Sequence, residues 1–219
     1  MLVQEYKRTY YPILQLTDTA KQAIVLMEDY FVEHWPVCTN GTFVGILNRD
    51  ALASVSEEAS LSELIDEFIP VAVLNTDFIF TAVKLAALNH LTLVPVVTPE
   101  NILDGIVTAN DLLRATAHYT GIELPGGTIV LQMERKEYSF GEINRLVETN
   151  DAFITQLNSS INSNNGLLDV IIKINKTEIS DVVATFQRYE YNVLYYLGDE
   201  WYTNELKDNY NNLMNYLNV

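Results

Sequence analysis

The sequence predicts an α+β protein: a β-α-β-β-α unit present twice, then a βαββαβ unit of different rhythm. The first observation is a repeat at an offset of 59 residues. Thr17-Asp18 returns as Thr76-Asp77, Ala23-Ile24 as Ala82-Val83, and Trp35-Pro36-Val37 as Val94-Pro95-Val96. The second is a slip of that offset, to 60 at Gly45/Gly105 and 61 at Asp50/Asp111. The third is the Leu124–Gly127 turn, after which the repeat ends and a new pattern starts. A unit of this length buries its apolar face only against a neighbouring copy, so the two copies are expected to pack together.

In the first copy, Ala20, Ala23, Ile24, Met27 and Phe31 follow Asp18 at helical spacing. A short strand is expected at Pro36–Cys38, a tight hairpin turn at Asn40-Gly41, and the returning strand at Thr42–Leu47. A short helix over Asn48–Ser54 closes the copy. Val55–Phe68 links the copies, and Ser60 with Glu63 reads as a capping box before an amphipathic helix. The second copy begins with Pro70 and the apolar run Val71–Leu74. It continues with a helix from Asp77 to Asn89, a buried strand Thr92–Val97, a strand Ile102–Val107 and a helix from Thr108.

Beyond the turn, strands are expected at Thr128–Arg135, Ala152–Leu157, Leu167–Ile174 and Asn192–Leu197, with Asn158–Asn165 as a polar loop. Helices are expected at Gly141–Thr149 and Ser180–Tyr189. This is the ferredoxin-like order. Leu206, Tyr210, Leu213, Met214 and Leu217 then form one helical stripe that needs a partner surface. The expected domains are 1–58, 59–120 and 124–200, with a C-terminal amphipathic helix over 201–219.

Composition narrows the function. The net charge of −16 is spread over both halves, which repels a polyphosphate backbone and argues against nucleic acid or an anionic membrane as partner. No apolar run is long enough to span a bilayer, and no secretory leader is visible, so a cytoplasmic protein is expected. Cys38 is the only cysteine; with no second thiol and no paired base it reads as core. His34, His90 and His118 lack a spacing that suggests a metal site, and no catalytic constellation stands out.

The sharpest local signal is Gly105-Ile106-Val107-Thr108-Ala109-Asn110-Asp111, where a strand gives way to a helix. Thr-x-x-Asp is an ordinary capping box. The same geometry offers a phosphate the free N–H groups of a helix start and a hydroxyl from Thr108. It also offers vicinal ribose hydroxyls the two acceptor oxygens of Asp111. Both readings stand on spacing alone.

The duplicated unit, the Pro36 and Pro95 pairs with valine, and Gly-Ile-Val-Thr-x-x-Asp-Leu-Leu together resemble a tandem pair of CBS domains, over residues 10–118. The resemblance implies a pseudo-symmetric disk with clefts that take AMP, ADP or ATP. It implies phosphate contact by Thr108, ribose contact by Asp111, and adenine enclosed by Val71, Val73, Val94 and Val96; Arg49 and Arg114 are candidate phosphate partners. In the first copy Asn48-Arg49-Asp50 is one residue short of the motif, so Asn48 and Asp50 make a weaker site. Residues 128–197 resemble an ACT domain, which implies a ligand loop at Ser139, Phe140 and Gly141, although the usual Asp and Pro of that turn are missing.

The order CBS pair then ACT, with Thr17-Asp18-Thr19-Ala20 and His34-Trp35-Pro36-Val37, is similar to the AcuB-like regulatory proteins. The expectation is a non-catalytic sensor without cofactor or metal. It is a homodimer, holds an adenine nucleotide in the cleft, and acts on a metabolic enzyme. A ligand-free dimerisation and docking scaffold is the alternative.

Overall fold

The computed structural model describes residues 1–198; the expected C-terminal helix lies outside the described residues. The chain forms two compact units, Met1–Tyr119 and a second that begins at Thr120.

The first unit holds the repeat. Its first copy runs β1 (Leu14–Gln15), α1 (Ala20–Tyr30), β2 (His34–Thr39), β3 (Thr42–Asn48) and α2 (Arg49–Leu52). The second runs β4 (Val73–Leu74), α3 (Ile79–Asn89), β5 (Leu93–Val97), β6 (Leu103–Thr108) and α4 (Ala109–Thr120). Each copy makes a three-stranded sheet, with a parallel first pair and an antiparallel hairpin. The symmetry extends to single bonds. Asp18 Oδ2 accepts from Gln15 N at 2.7 Å, and Asp77 Oδ2 accepts from Leu74 N at 2.9 Å. Phe31 and His90 end their helices in the left-handed conformation, both at φ 54°.

The slip in the offset has a structural origin. Both hairpins carry a register shift at the same place, Val37/Cys38 and Val96/Val97. The first then turns tightly through Asn40 (φ 50°) and Gly41 (φ 85°), a conformation that glycine adopts without penalty. The second turns through the longer loop between Val97 and Leu103.

The copies exchange their leading segments. Arg8 bridges Ile106 in the second hairpin, and Ile69 bridges Ile46 in the first. Glycines make both crossings possible. A Cβ on Gly45 would sit 2.7 Å from Phe68 Cβ, and one on Gly105 would sit 3.0 Å from the Arg8 carbonyl oxygen. The link between copies differs from expectation: Leu61–Glu67 is a 3₁₀ helix rather than an α-helix. Three residues per turn align Leu61 with Leu64, both buried, and leave Ile65 exposed. The capping box of Ser60 and Glu63 is present.

The second unit runs β7 (Thr128–Met133), α5 (Phe140–Glu148), β8 (Ile154–Ile161), β9 (Leu168–Ile174), α6 (Ser180–Arg188) and β10 (Asn192–Leu197). The antiparallel sheet has the order β10-β7-β9-β8. Its core joins Ile129, Leu131, Val170 and Ile172 to Ile143, Leu146, Val182 and Phe186 of the helices. Asn158–Ile161, expected as loop, extends β8 because it pairs with β9 as far as Leu168. Backbone pairing there overrides the weak strand preference of Asn and Ser.

Candidate functional site

Strand β6 delivers Thr108 to the start of α4, where the helix needs a cap. The capping box forms in both directions: Thr108 N donates to Asp111 Oδ2 at 3.1 Å, and Asp111 N donates to Thr108 Oγ1 at 3.3 Å. The Thr108 hydroxyl also donates to Asp111 Oδ2, at 2.5 Å. A second partner for Asp111 comes from the exchanged N-terminal segment. Arg8 lays its guanidinium on the carboxylate as a fork, with Nε to Oδ2 at 2.8 Å and Nη2 to Oδ1 at 2.9 Å. Asp111 is buried. Burial alone would raise its carboxyl, yet the bonds from Arg8 and Thr108 outweigh it and hold it below the usual range.

Two chambers open beside this cluster. The outer one, about 310 Å³, is lined by Arg8, Tyr30, Phe31, Thr92, Thr108 and Asn110 among others. The inner one, about 70 Å³, lies among Tyr11, Tyr30, Trp35, Leu93, Ile106 and their neighbours. The outer volume is at the low end of ligand pockets, generally about 300–1,000 Å³. The inner one has room for waters but not for a purine. It is narrow because Trp35 is fully buried there, edge-on to Tyr30 at 4.9 Å, with Nε1 donating to Pro12 O at 3.3 Å.

The structure brings Thr108 and Asp111 together as the motif requires, and it puts the apolar wall elsewhere. Val73, Val94 and Val96 are buried in the core cluster, and Val71 packs against it. The chamber walls come instead from residues 8–11, brought over by the exchange of leading segments, from residues 30–35 of the first copy, and from Thr92, Leu93 and Ile106 of the second. Arg114 is exposed on α4 and lines neither chamber. In the first copy Asn48 occupies the position of Thr108: it caps α2 by accepting from Asp50 N at 3.0 Å. Asp50 is exposed and one position too early for a reciprocal box, and Arg49 pairs with Glu28 at 2.7 Å.

In the second unit Ser139 caps α5, with its Oγ accepting from Glu142 N at 3.3 Å. Phe140 is exposed. A Cβ on Gly141 would meet nothing within 4 Å, and its φ is not positive, so neither close approach nor backbone strain accounts for that glycine. Among the described residues, no cluster of His, Cys, Asp and Glu could hold a metal ion, and no helix is long and apolar enough to cross a membrane.

The sequence model of the CBS domain matches residues 3–58 and 49–118, more than half of the chain. The chain belongs to the CBS-domain family. A solved CBS domain pair/ACT domain protein from Thermotoga maritima is 24% identical, with a TM-score of 0.50, over 54% of this chain and 98% of that one. The CBS domains of a transcriptional regulator from Streptococcus pneumoniae are 22% identical (TM-score 0.45) over 52% of this chain and 98% of that one. CBSX2, solved in complex with AMP, is 21% identical (TM-score 0.43) over 54% of this chain and 97% of that one. A search of curated proteins finds no match. The likeness to the Thermotoga protein, at that identity, shows the fold of the CBS pair alone.

Proposed function

We propose that this CBS-pair protein is a non-catalytic regulator that binds an adenine nucleotide, AMP, ADP or ATP, beside the start of α4. The observation that carries the reading is that Thr108 and Arg8 line chambers walled by both copies, with the Asp111 carboxylate bonded to both of them. Phosphate would meet the Thr108 hydroxyl, and the ribose diol would meet Asp111. Adenine would lie against Tyr30, Val32 and Leu93, once Tyr30 or Tyr11 turns aside to widen the inner chamber. A ligand that bridges the copies this way favours one arrangement of them by its differential affinity. Val71, Val73, Val94 and Val96 would shape the cleft from the core, Arg114 would add charge, and Asn48 with Asp50 would form a weaker site.

Calorimetric titration of the whole chain with the three nucleotides tests this. Binding that Thr108→Ala or Asp111→Ala abolishes is the expected result. Heat indistinguishable from dilution at millimolar nucleotide would defeat it.

The second unit fits an ACT domain by its βαββαβ order, with Ser139, Phe140 and Gly141 as the loop for a small ligand. The order of units then matches the AcuB-like group, and the protein would work in the cytoplasm as a homodimer on a metabolic enzyme. A ligand-free scaffold is the second reading, and the saturation of Asp111 by the chain's own groups favours it. Light scattering that gave the mass of one chain would remove dimerisation from both readings.

A further inference from the structure

Among the described residues, Arg8 is the only cation lining either chamber, and its fork lies on the carboxylate assigned to ribose. Asp111 already accepts four bonds, two from Arg8 and two from Thr108. Three of these bonds fall on Oδ2 and one on Oδ1, which leaves one acceptor position on Oδ1; a diol needs two, and gains the second only if the fork leaves. The backbone need not move for this. Arg8 N donates to Ile106 O at 2.8 Å, and Ile106 N donates to Arg8 O at 3.1 Å, which pins the segment while the side chain stays half exposed.

We infer that Arg8 is a specificity-determining residue: a ligand phosphate draws its guanidinium off Asp111, and the vacated carboxylate takes the ribose diol. This rests on the nucleotide reading and adds to it a rule for which ligand is accepted. A guanidinium matches phosphate as well as it matches carboxylate, two donors to two oxygens, so the exchange keeps a charge-assisted pair. A nucleoside without phosphate must break the fork and gives nothing back. The first copy has no such device, because Ile69 holds the position of Arg8 there by bridging Ile46.

The test is a comparison of AMP with adenosine, titrated into the whole chain as wild type, Arg8→Ala and Arg8→Lys. The wild type is expected to prefer AMP by about tenfold or more. In Arg8→Ala, adenosine should bind about threefold or more tighter than in wild type, and the preference for phosphate should collapse. Arg8→Lys keeps the charge without the fork and should fall between. If Arg8→Ala does not fold, a narrowed ratio in Arg8→Lys supports the inference and an unchanged one overturns it. An AMP-to-adenosine ratio equal in wild type and Arg8→Ala removes the role of Arg8 and leaves the site standing. Failure of the wild type to bind either ligand overturns the nucleotide reading, and this inference with it.

Discussion

His34 of the first copy and Thr92 of the second are joined directly: Thr92 N donates to His34 Nδ1 at 3.2 Å. An N–H can only donate, so Nδ1 is the acceptor and the ring proton of the neutral form sits on Nε2. The Thr92 hydroxyl lies 3.1 Å from the same nitrogen and accepts from Glu33 N at 3.0 Å. This seam leads into the outer chamber, which Thr92 lines.

Protonation of His34 would cost Nδ1 its role as acceptor. Burial lowers the His34 pKa from 6.5, against the opposing pull of Glu33 and Asp50. The unfolded chain therefore takes the proton more readily. The stability that His34 contributes is complete above pH 6.5 and is lost as pH falls through its lowered folded value. Thermal melts at about pH 7.5 and about pH 5.5 should show a loss of stability that His34→Gln reduces. Equal losses in both proteins would show that His34 is not the titrating group.

Gly45 and Gly105 mark the two crossings. Gly45→Ala would set a Cβ 2.7 Å from Phe68 Cβ, backbone-borne and unable to rotate away. A destabilisation of about 1–3 kcal/mol by urea unfolding is expected. Gly141→Ala is the contrast, open around its Cβ and helical, and should stabilise by about 0.5–1 kcal/mol. A neutral Gly45→Ala would mean that the crossing has slack.

Cys38 is wholly buried, and burial pushes its thiol up to about 11. Reactivity requires thiolate and access, and Cys38 has neither in the folded chain. A thiol reagent at about pH 8 should modify it only in denaturant, and the rate should track unfolding. Rapid labelling of the native protein would place the thiol nearer the surface.

What the sequence made legible follows physical locality. The repeat was readable because each copy repeats its own turns, caps and strand register. The start of α4 was readable because a capping box is local, and Thr108 and Asp111 meet as their spacing requires. The chamber walls were not readable. Arg8 and Asp111 are brought together by an exchange of leading segments, and an offset within the repeat cannot say which copy a segment joins. Trp35 carried a signal of another kind, a bulky residue where the repeat has Val94, and that asymmetry fits the aromatic filling of the inner chamber. Asn158–Ile161 misled because edge-strand residues are chosen by the partner strand as much as by their own preference.

A crystal structure of the whole chain grown with AMP decides whether the nucleotide sits beside the start of α4. The expected result is a purine between Tyr30 and Leu93, phosphate on Thr108, the diol on Asp111, and the Arg8 fork withdrawn from that carboxylate. AMP absent from both chambers at millimolar concentration, with Arg8 still seated on Asp111, would contradict it.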